Sequence, residues 1–167
     1  MSQSTSGVTV APTSTGCVIA VLGRGTVRES RAIIDFVTRT FQSAPETRVT
    51  IDLSGCGYVD STFLGTLIDL HRLAVAAGPD RLFVAGSMEH RKKLLGIARL
   101  EKLIPGIEAA PPTAGPSVPL VAPDAAPTDF LRHISKCHQK LAEIDCPMQQ
   151  VFARIATQME RELDRSS

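Results

Sequence analysis

Apolar residues alternate at Val49, Ile51 and Leu53 with Thr50 and Asp52 between them, a period of two that predicts a strand with one buried face. After a loop from Ser54 to Val59 the period changes. Phe63, Leu64, Leu67, Leu70, Leu73 and Ala74 recur at helical spacing and form a wide core-facing stripe. Asp60, Ser61 and Thr62 fall at the junction, in the N-cap region, where a side-chain oxygen accepts from backbone N–H groups that the helix leaves unpaired.

The same reading extends in both directions. Cys17 to Leu22 is a continuous apolar run that predicts a buried strand, and a weaker strand near Val8 to Ala11 precedes it to form an antiparallel hairpin. Thr26 and Glu29 fit a capping box ahead of a helix whose buried stripe is Ile33, Ile34, Val37 and Phe41, ended by Ala44-Pro45. The Phe63 helix stops at Gly78-Pro79. Arg81 to Ala85 predicts another short strand. Ser87 caps a helix through about Gly96, with Leu94 and Leu95 inward; Arg99 to Leu103 adds a short helical turn and Ile104 to Ile107 an edge strand. This order predicts an α/β fold: a mixed sheet of four to five strands with right-handed crossovers that place helices mainly on one face.

From Ala109 the composition changes. Pro111, Pro112, Pro116, Pro119, Pro123 and Pro127 stand among alanines and small polar residues, so residues 109–127 read as a semi-extended linker after a domain spanning 1–108. Stretched at about 3.1 Å per residue, it would reach roughly 50 Å. Residues 128–167 then predict a C-terminal amphipathic helical segment. Phe130, Leu131, Ile134, Cys137, Leu141 and Ile144 share one face, Asp145-Cys146-Pro147 interrupts it, and Val151, Phe152, Ile155, Met159 and Leu163 restart it. The result is a helical hairpin or one kinked helix. Such a stripe must be buried, on the domain, on a second copy in a homodimer or on a different partner.

Composition narrows the function. A chain of 167 residues with 43% hydrophobic residues buries one core, and a net charge of +1 gives no nucleic-acid or membrane footprint. No apolar run has membrane-spanning length, and Met1 to Gly7 lacks the basic start and apolar stretch of an export signal, so a cytoplasmic location is expected. Cys17, Cys56, Cys137 and Cys146 contain no Cys-x-x-Cys pair and read as reduced thiols.

Catalytic readings fare poorly. His71 lies ten helical residues from Ser61, about 15 Å along the axis, too far for proton transfer, and no nucleophile elbow is present. His133 and Cys137 share a helix face with Cys146 nearby, a poor match to metal-site spacing. Gly23-Arg-Gly25 lacks the ending of a phosphate loop and reads as a turn. Arg91, Lys92 and Lys93, with Arg99 and Lys102 beyond, read as a solvated basic face. No enzyme, cofactor or metal is expected. Asp60-Ser61 by itself reads as a helix cap; its one chemical opening is electrostatic, since a helix N-terminus tolerates a phosphoserine's charge of about −1.5 to −2.

The segment from about Val8 to Glu108 resembles the STAS domain, the fold shared by sulfate transporters and anti-sigma factor antagonists. The resemblance rests on Val49-Thr-Ile-Asp-Leu-Ser-Gly-Cys, Tyr58-Val-Asp-Ser-Thr-Phe-Leu-Gly-Thr-Leu67, Leu82-Phe-Val-Ala-Gly and Lys93-Leu-Leu-Gly-Ile-Ala-Arg-Leu100. It implies a phosphoacceptor at Ser61, with Thr62 as the alternative and Asp60 as its neighbour. It further implies a partner-binding surface made of Gly55, Gly57, Tyr58, Asp60, Ser61, Thr62 and Phe63. Its implied partners are an anti-sigma factor serine kinase and a phosphatase, in partner switching that regulates transcription or signalling. Many antagonists carry Gly two residues after the phosphoserine, where this chain has Phe63, whose ring would enlarge the apolar contact beside the switch. The alternative within the resemblance is an unphosphorylated subunit associated with small-ligand binding or lipid transport.

Overall fold

A computed structural model describes residues 6–166. Most of the N-terminal stretch read for an export signal, residues 1–5, lies outside them. Strands β1 (Gly7–Pro12) and β2 (Gly16–Gly25) form the antiparallel hairpin, with Val8 opposite Val21 and Val10 opposite Ile19. Helix α1 (Val27–Ser43) follows, and the Glu29 carboxylate accepts the Thr26 backbone N–H at 2.9 Å, half of the anticipated capping box. Then come β3 (Arg48–Asp52), β4 (Cys56–Val59), α2 (Ser61–Ala77), β5 (Leu82–Ala85), α3 (Met88–Leu95), a 3-10 turn (Gly96–Ala98), α4 (Leu100–Leu103) and β6 (Gly106–Ile107).

The chain forms a mixed seven-stranded sheet rather than one of four to five strands, in the order β6-β5-β3-β2-β1-β7, with β4 paired to β2 off this path. Strands β2, β3, β5 and β6 run parallel, and β1 is antiparallel to β2. Two strands escape the hydrophobic pattern for physical reasons. Residues 56–59, expected as loop, form β4 against Gly23–Gly25; with exposed Gly57 and Tyr58 they carry no alternation to read. Strand β7 (Val118–Pro119) lies inside the proline-rich segment and pairs with Thr9 and Val10 of β1. A proline can occupy such an edge because one side of the strand needs no donor.

The segment read as a linker is therefore laid against the domain along part of its length. The Ala114 N–H donates to the Pro12 carbonyl at 2.7 Å. Ala109 and Pro111 line a cavity of about 270 Å³ together with Thr50 and Phe83 of the sheet. Thr50 alternates with Val49 and Ile51 and so points away from the main core, yet it is buried.

The main core joins Ile19 and Val21 of β2, Val49 and Ile51 of β3 and Leu82 and Val84 of β5 to Ile33 and Val37 of α1 and Leu64 and Leu67 of α2. Helix α2 is buried on more than the expected stripe: Thr62, Gly65, Thr66 and Ile68 are buried too. The reason is α5 (Pro127–Ala142), which packs on α2 and is followed by α6 (Gln149–Arg165), so the tail is two helices whose apolar stripe is partly buried within the chain, with Val151 left exposed. Leu141, Cys146 and Phe152 join the same core cluster. At the crossing, a Cβ on Gly65 would stand 2.5 Å from both the Cys137 Cβ and the Cys137 carbonyl oxygen. Backbone atoms block that position, so no rotamer change would relieve it.

Gly65→Ala should therefore push α5 off its seat and lower the unfolding free energy by about 1–3 kcal/mol, the usual cost of overpacking. Urea unfolding of the two proteins checks this; equal midpoints would mean that α5 is not seated on Gly65.

Candidate functional site

Asp60 is the N-cap of α2. Its carboxylate accepts the Phe63 N–H at 2.8 Å, and its own N–H donates to the Gly25 carbonyl at 2.9 Å, which ties the helix start to the end of β2. Burial pushes the Asp60 carboxyl above its usual range, while the N–H groups of Phe63 and Val27 pull it back.

The next three residues have different fates. Ser61 is half-buried at the helix start. Thr62 is buried at 5% exposure, so its hydroxyl is not a surface group. Phe63 is buried at 1%, its ring under Gly25, where an added Cβ would sit 2.8 Å from a ring carbon. The Phe63 ring thus belongs to the core, and the expected apolar contact beside the switch is not on the surface. Helical periodicity explains this: positions 62 and 63 point into the domain when position 61 points out.

Beside Ser61 the surface is built by the β3–β4 turn and β4. Gly55, Gly57 and Tyr58 are exposed, and the Arg24 guanidinium lies 4.5 Å from the Tyr58 ring centroid. His90 Nε2 stands 3.0 Å from the Leu53 carbonyl and 2.8 Å from that of Cys56, which pins this turn to α3.

The partner of Ser61 comes from the far end of the chain. Ser61 Oγ lies 2.8 Å from His138 Nε2, and His138 Nδ1 lies 2.8 Å from the Ile134 carbonyl. A carbonyl only accepts, so Nδ1 carries the proton; in the neutral ring Nε2 is then the acceptor and Ser61 donates to it. His138 is buried at 3% exposure, with the Phe152 ring of α6 6.2 Å away. Sequence periodicity places His138 between Cys137 and Leu141 on an apolar stripe. A polar residue in that position signals a polar partner across the interface but does not say which one.

A second polar cluster lies deeper between α1, α2 and α5. His133 Nε2 stands 3.1 Å from Ser30 Oγ and 3.4 Å from Thr66 Oγ1, and Thr66 Oγ1 is 3.4 Å from Cys137 Sγ. Burial lowers the His133 pKa to about 4, and the Arg31 and Lys136 charges add to the effect. Burial likewise pushes the Cys137 thiol up to about 12, so the sulfur stays protonated and unreactive. Among the described residues no group of three or more His, Cys, Asp or Glu is arranged to hold a metal ion. Of the basic cluster, Lys92, Lys93, Arg99 and Lys102 are exposed, but Arg91 is buried and its Nε donates to the Gly86 carbonyl at 2.9 Å. Arg91 is a structural residue, not part of the solvated face. Among the described residues no helix is long and apolar enough to cross a membrane.

A family model described as "Mlab, STAS domain" matches residues 8–105, more than half of the chain. No curated protein matches it.

The His133 environment makes the seat of α5 sensitive to acid. A released or unfolded chain takes up the proton near pH 6.5, whereas the docked form resists it down to about 4. The His133 contribution is fully present above pH 6.5 and is lost as the pH falls toward 4. Urea unfolding across this range should show His133→Gln losing less stability with acid than wild type; equal slopes would place the acid response elsewhere.

Proposed function

The chain belongs to the STAS domain family, and on that footing we propose that it is a protein-interaction switch of the anti-sigma factor antagonist kind, set by phosphorylation of Ser61. The observation that carries this reading is the difference between neighbouring hydroxyls: Ser61 is half-buried at the start of α2, while Thr62 is buried. A kinase can reach the first without unfolding α2.

The exposed turn of Gly55, Gly57 and Tyr58, with Asp60 and Ser61, is the docking surface for an anti-sigma factor serine kinase. Docking of the unmodified form displaces what the kinase-like partner otherwise holds, and so regulates transcription or signalling. In the transfer step Ser61 Oγ bonds to the terminal phosphorus of the kinase's nucleoside triphosphate. The hydroxyl proton passes to a base of the kinase, the bond from the terminal phosphorus to its bridging oxygen breaks, and the nucleoside diphosphate leaves. The product carries a charge of about −1.5 to −2. The N–H groups of the first turn stabilise that charge within the domain. At the interface the same charge must be desolvated against the partner, and docking weakens. A phosphatase resets the switch by hydrolysis.

A second reading is favoured by the Ser61–His138 hydrogen bond. A hydroxyl already satisfied within the chain also suits an unphosphorylated subunit associated with small-ligand or lipid transport. Mass spectrometry of protein from its native cell, with phosphate found or not found on Ser61, separates the two.

Binding to the cognate kinase should survive Ser61→Ala and fall at least about tenfold for Ser61→Asp. Isothermal titration of both variants measures this, and an aspartate variant that binds as tightly as wild type rules out the switch at this residue.

A further inference from the structure

The hydroxyl that the kinase would need is already bound, and the group that binds it belongs to a segment outside the matched residues 8–105. Helix α5 lies along Ser61, Gly65, Asp69 and Arg72, one stripe of α2 at helical spacing. His138 meets Ser61, Cys137 meets Gly65, Lys140 pairs with Asp69 at 3.6 Å, and Glu143 just beyond α5 pairs with Arg72. We propose that the C-terminal helical pair is a releasable cover: docked, it withholds Ser61 and the first turns of α2 from the partner, and release exposes them. The inference rests on the reading of Ser61 as the switch.

Three features make the cover both effective and releasable. His138 Nε2 accepts from Ser61 Oγ at 2.8 Å, so α5 stands against the hydroxyl that a kinase active site would have to enclose. Enclosing it requires α5 to move. The interface also carries polar groups among its apolar ones, since Thr66 and His138 are buried in it and the Asp69–Lys140 pair is partly exposed at its rim. Polar interfaces between parts of one chain permit relative motion more readily than apolar ones, and exposed ion pairs add little.

The tether supplies the third feature. Strand β7 holds the chain to β1 through Pro119, and α5 begins at Pro127. The intervening residues 120–126 span roughly 20 Å when extended at about 3.1 Å each. Released helices thus stay near α2 and rebind at a high effective concentration, so a partner competes with a standing intramolecular rival. Phosphorylation prevents rebinding, because the esterified Oγ has no hydrogen left to donate to His138 and the phosphate fills the space that the ring occupied.

Hydrogen–deuterium exchange of the full-length protein tests release without any partner. The amides of α5 should exchange at least about tenfold faster than those of β2 and β3, through an opening that leaves the sheet intact. Ser61→Glu should speed exchange in α5 further. Cys137→Asp, which puts a charge against Gly65, should do so more strongly, and Lys140→Glu provides a milder rim variant; β2 and β3 should be unchanged in all three. Exchange of α5 in step with β2 and β3, or a Ser61→Glu variant whose α5 is as protected as in wild type, overturns the cover. In the kinase titration, Lys140→Glu with Ser61 intact should bind severalfold more tightly. Equal or weaker binding also overturns the cover, while the Ser61→Asp result judges the switch separately.

Discussion

The close approach of α5 to α2 at Gly65 is the constraint on which the rest of the site depends. With no side chain there, the Cys137 backbone can lie within 2.6 Å of where a Cβ would otherwise be. From that contact the other pairings follow by helical spacing, with His138 brought to Ser61 on one side and Lys140 to Asp69 on the other. The same contact turns α2 from a surface helix with one buried stripe into a helix covered by the sheet on one side and the tail on another. It also makes Thr66 a buried hydroxyl that must be satisfied by Thr62, His133 and Cys137.

Polar chemistry gives this interface its particular character. Burying a Leu side chain stabilises by roughly 1.5–3 kcal/mol, and Leu141 anchors the tail in this way. Beside it histidine rings meet serine and threonine hydroxyls, and each such bond contributes about 0.5–1.5 kcal/mol net while remaining demanding in geometry. A contact made this way depends strongly on protonation and on the state of one oxygen atom. Ser61 sits where its hydroxyl bonds to the tail, and on the proposed reading its modification would also charge the surface offered to a partner. On that reading one atom couples two surfaces.

The strand-to-helix change at Asp60 was legible in the chain because a period of two gives way to one of 3.6, and the cap residue stands between them. Strands β2 and β5 were legible as short apolar runs, and α1 as an apolar stripe behind the Thr26–Glu29 capping pair. Strand β4 was not, since exposed Gly57 and Tyr58 carry no alternation, and neither was β7, whose two residues include a proline. For the site, the residue types Asp60 and Ser61 announced a cap, and family resemblance raised the prospect of a switch. That Thr62 and Phe63 belong to the interior follows from the rotation of α2 about its axis, which is set by what packs around it.

Local pattern by itself determined the order of the elements other than β4 and β7, the cap at Asp60 and the existence of a C-terminal apolar stripe that had to be buried somewhere, because each of these is written in residues a few positions apart. Where that stripe is buried, and that His138 beside it closes on Ser61 across 77 positions of sequence, only the tertiary structure decided. The physical reason is that an apolar face states a need for a partner without naming it. The choice among partners rests on shape and hydrogen-bond complementarity, here a missing Cβ at Gly65 and a hydroxyl facing an imidazole, which exist only once both helices are in place.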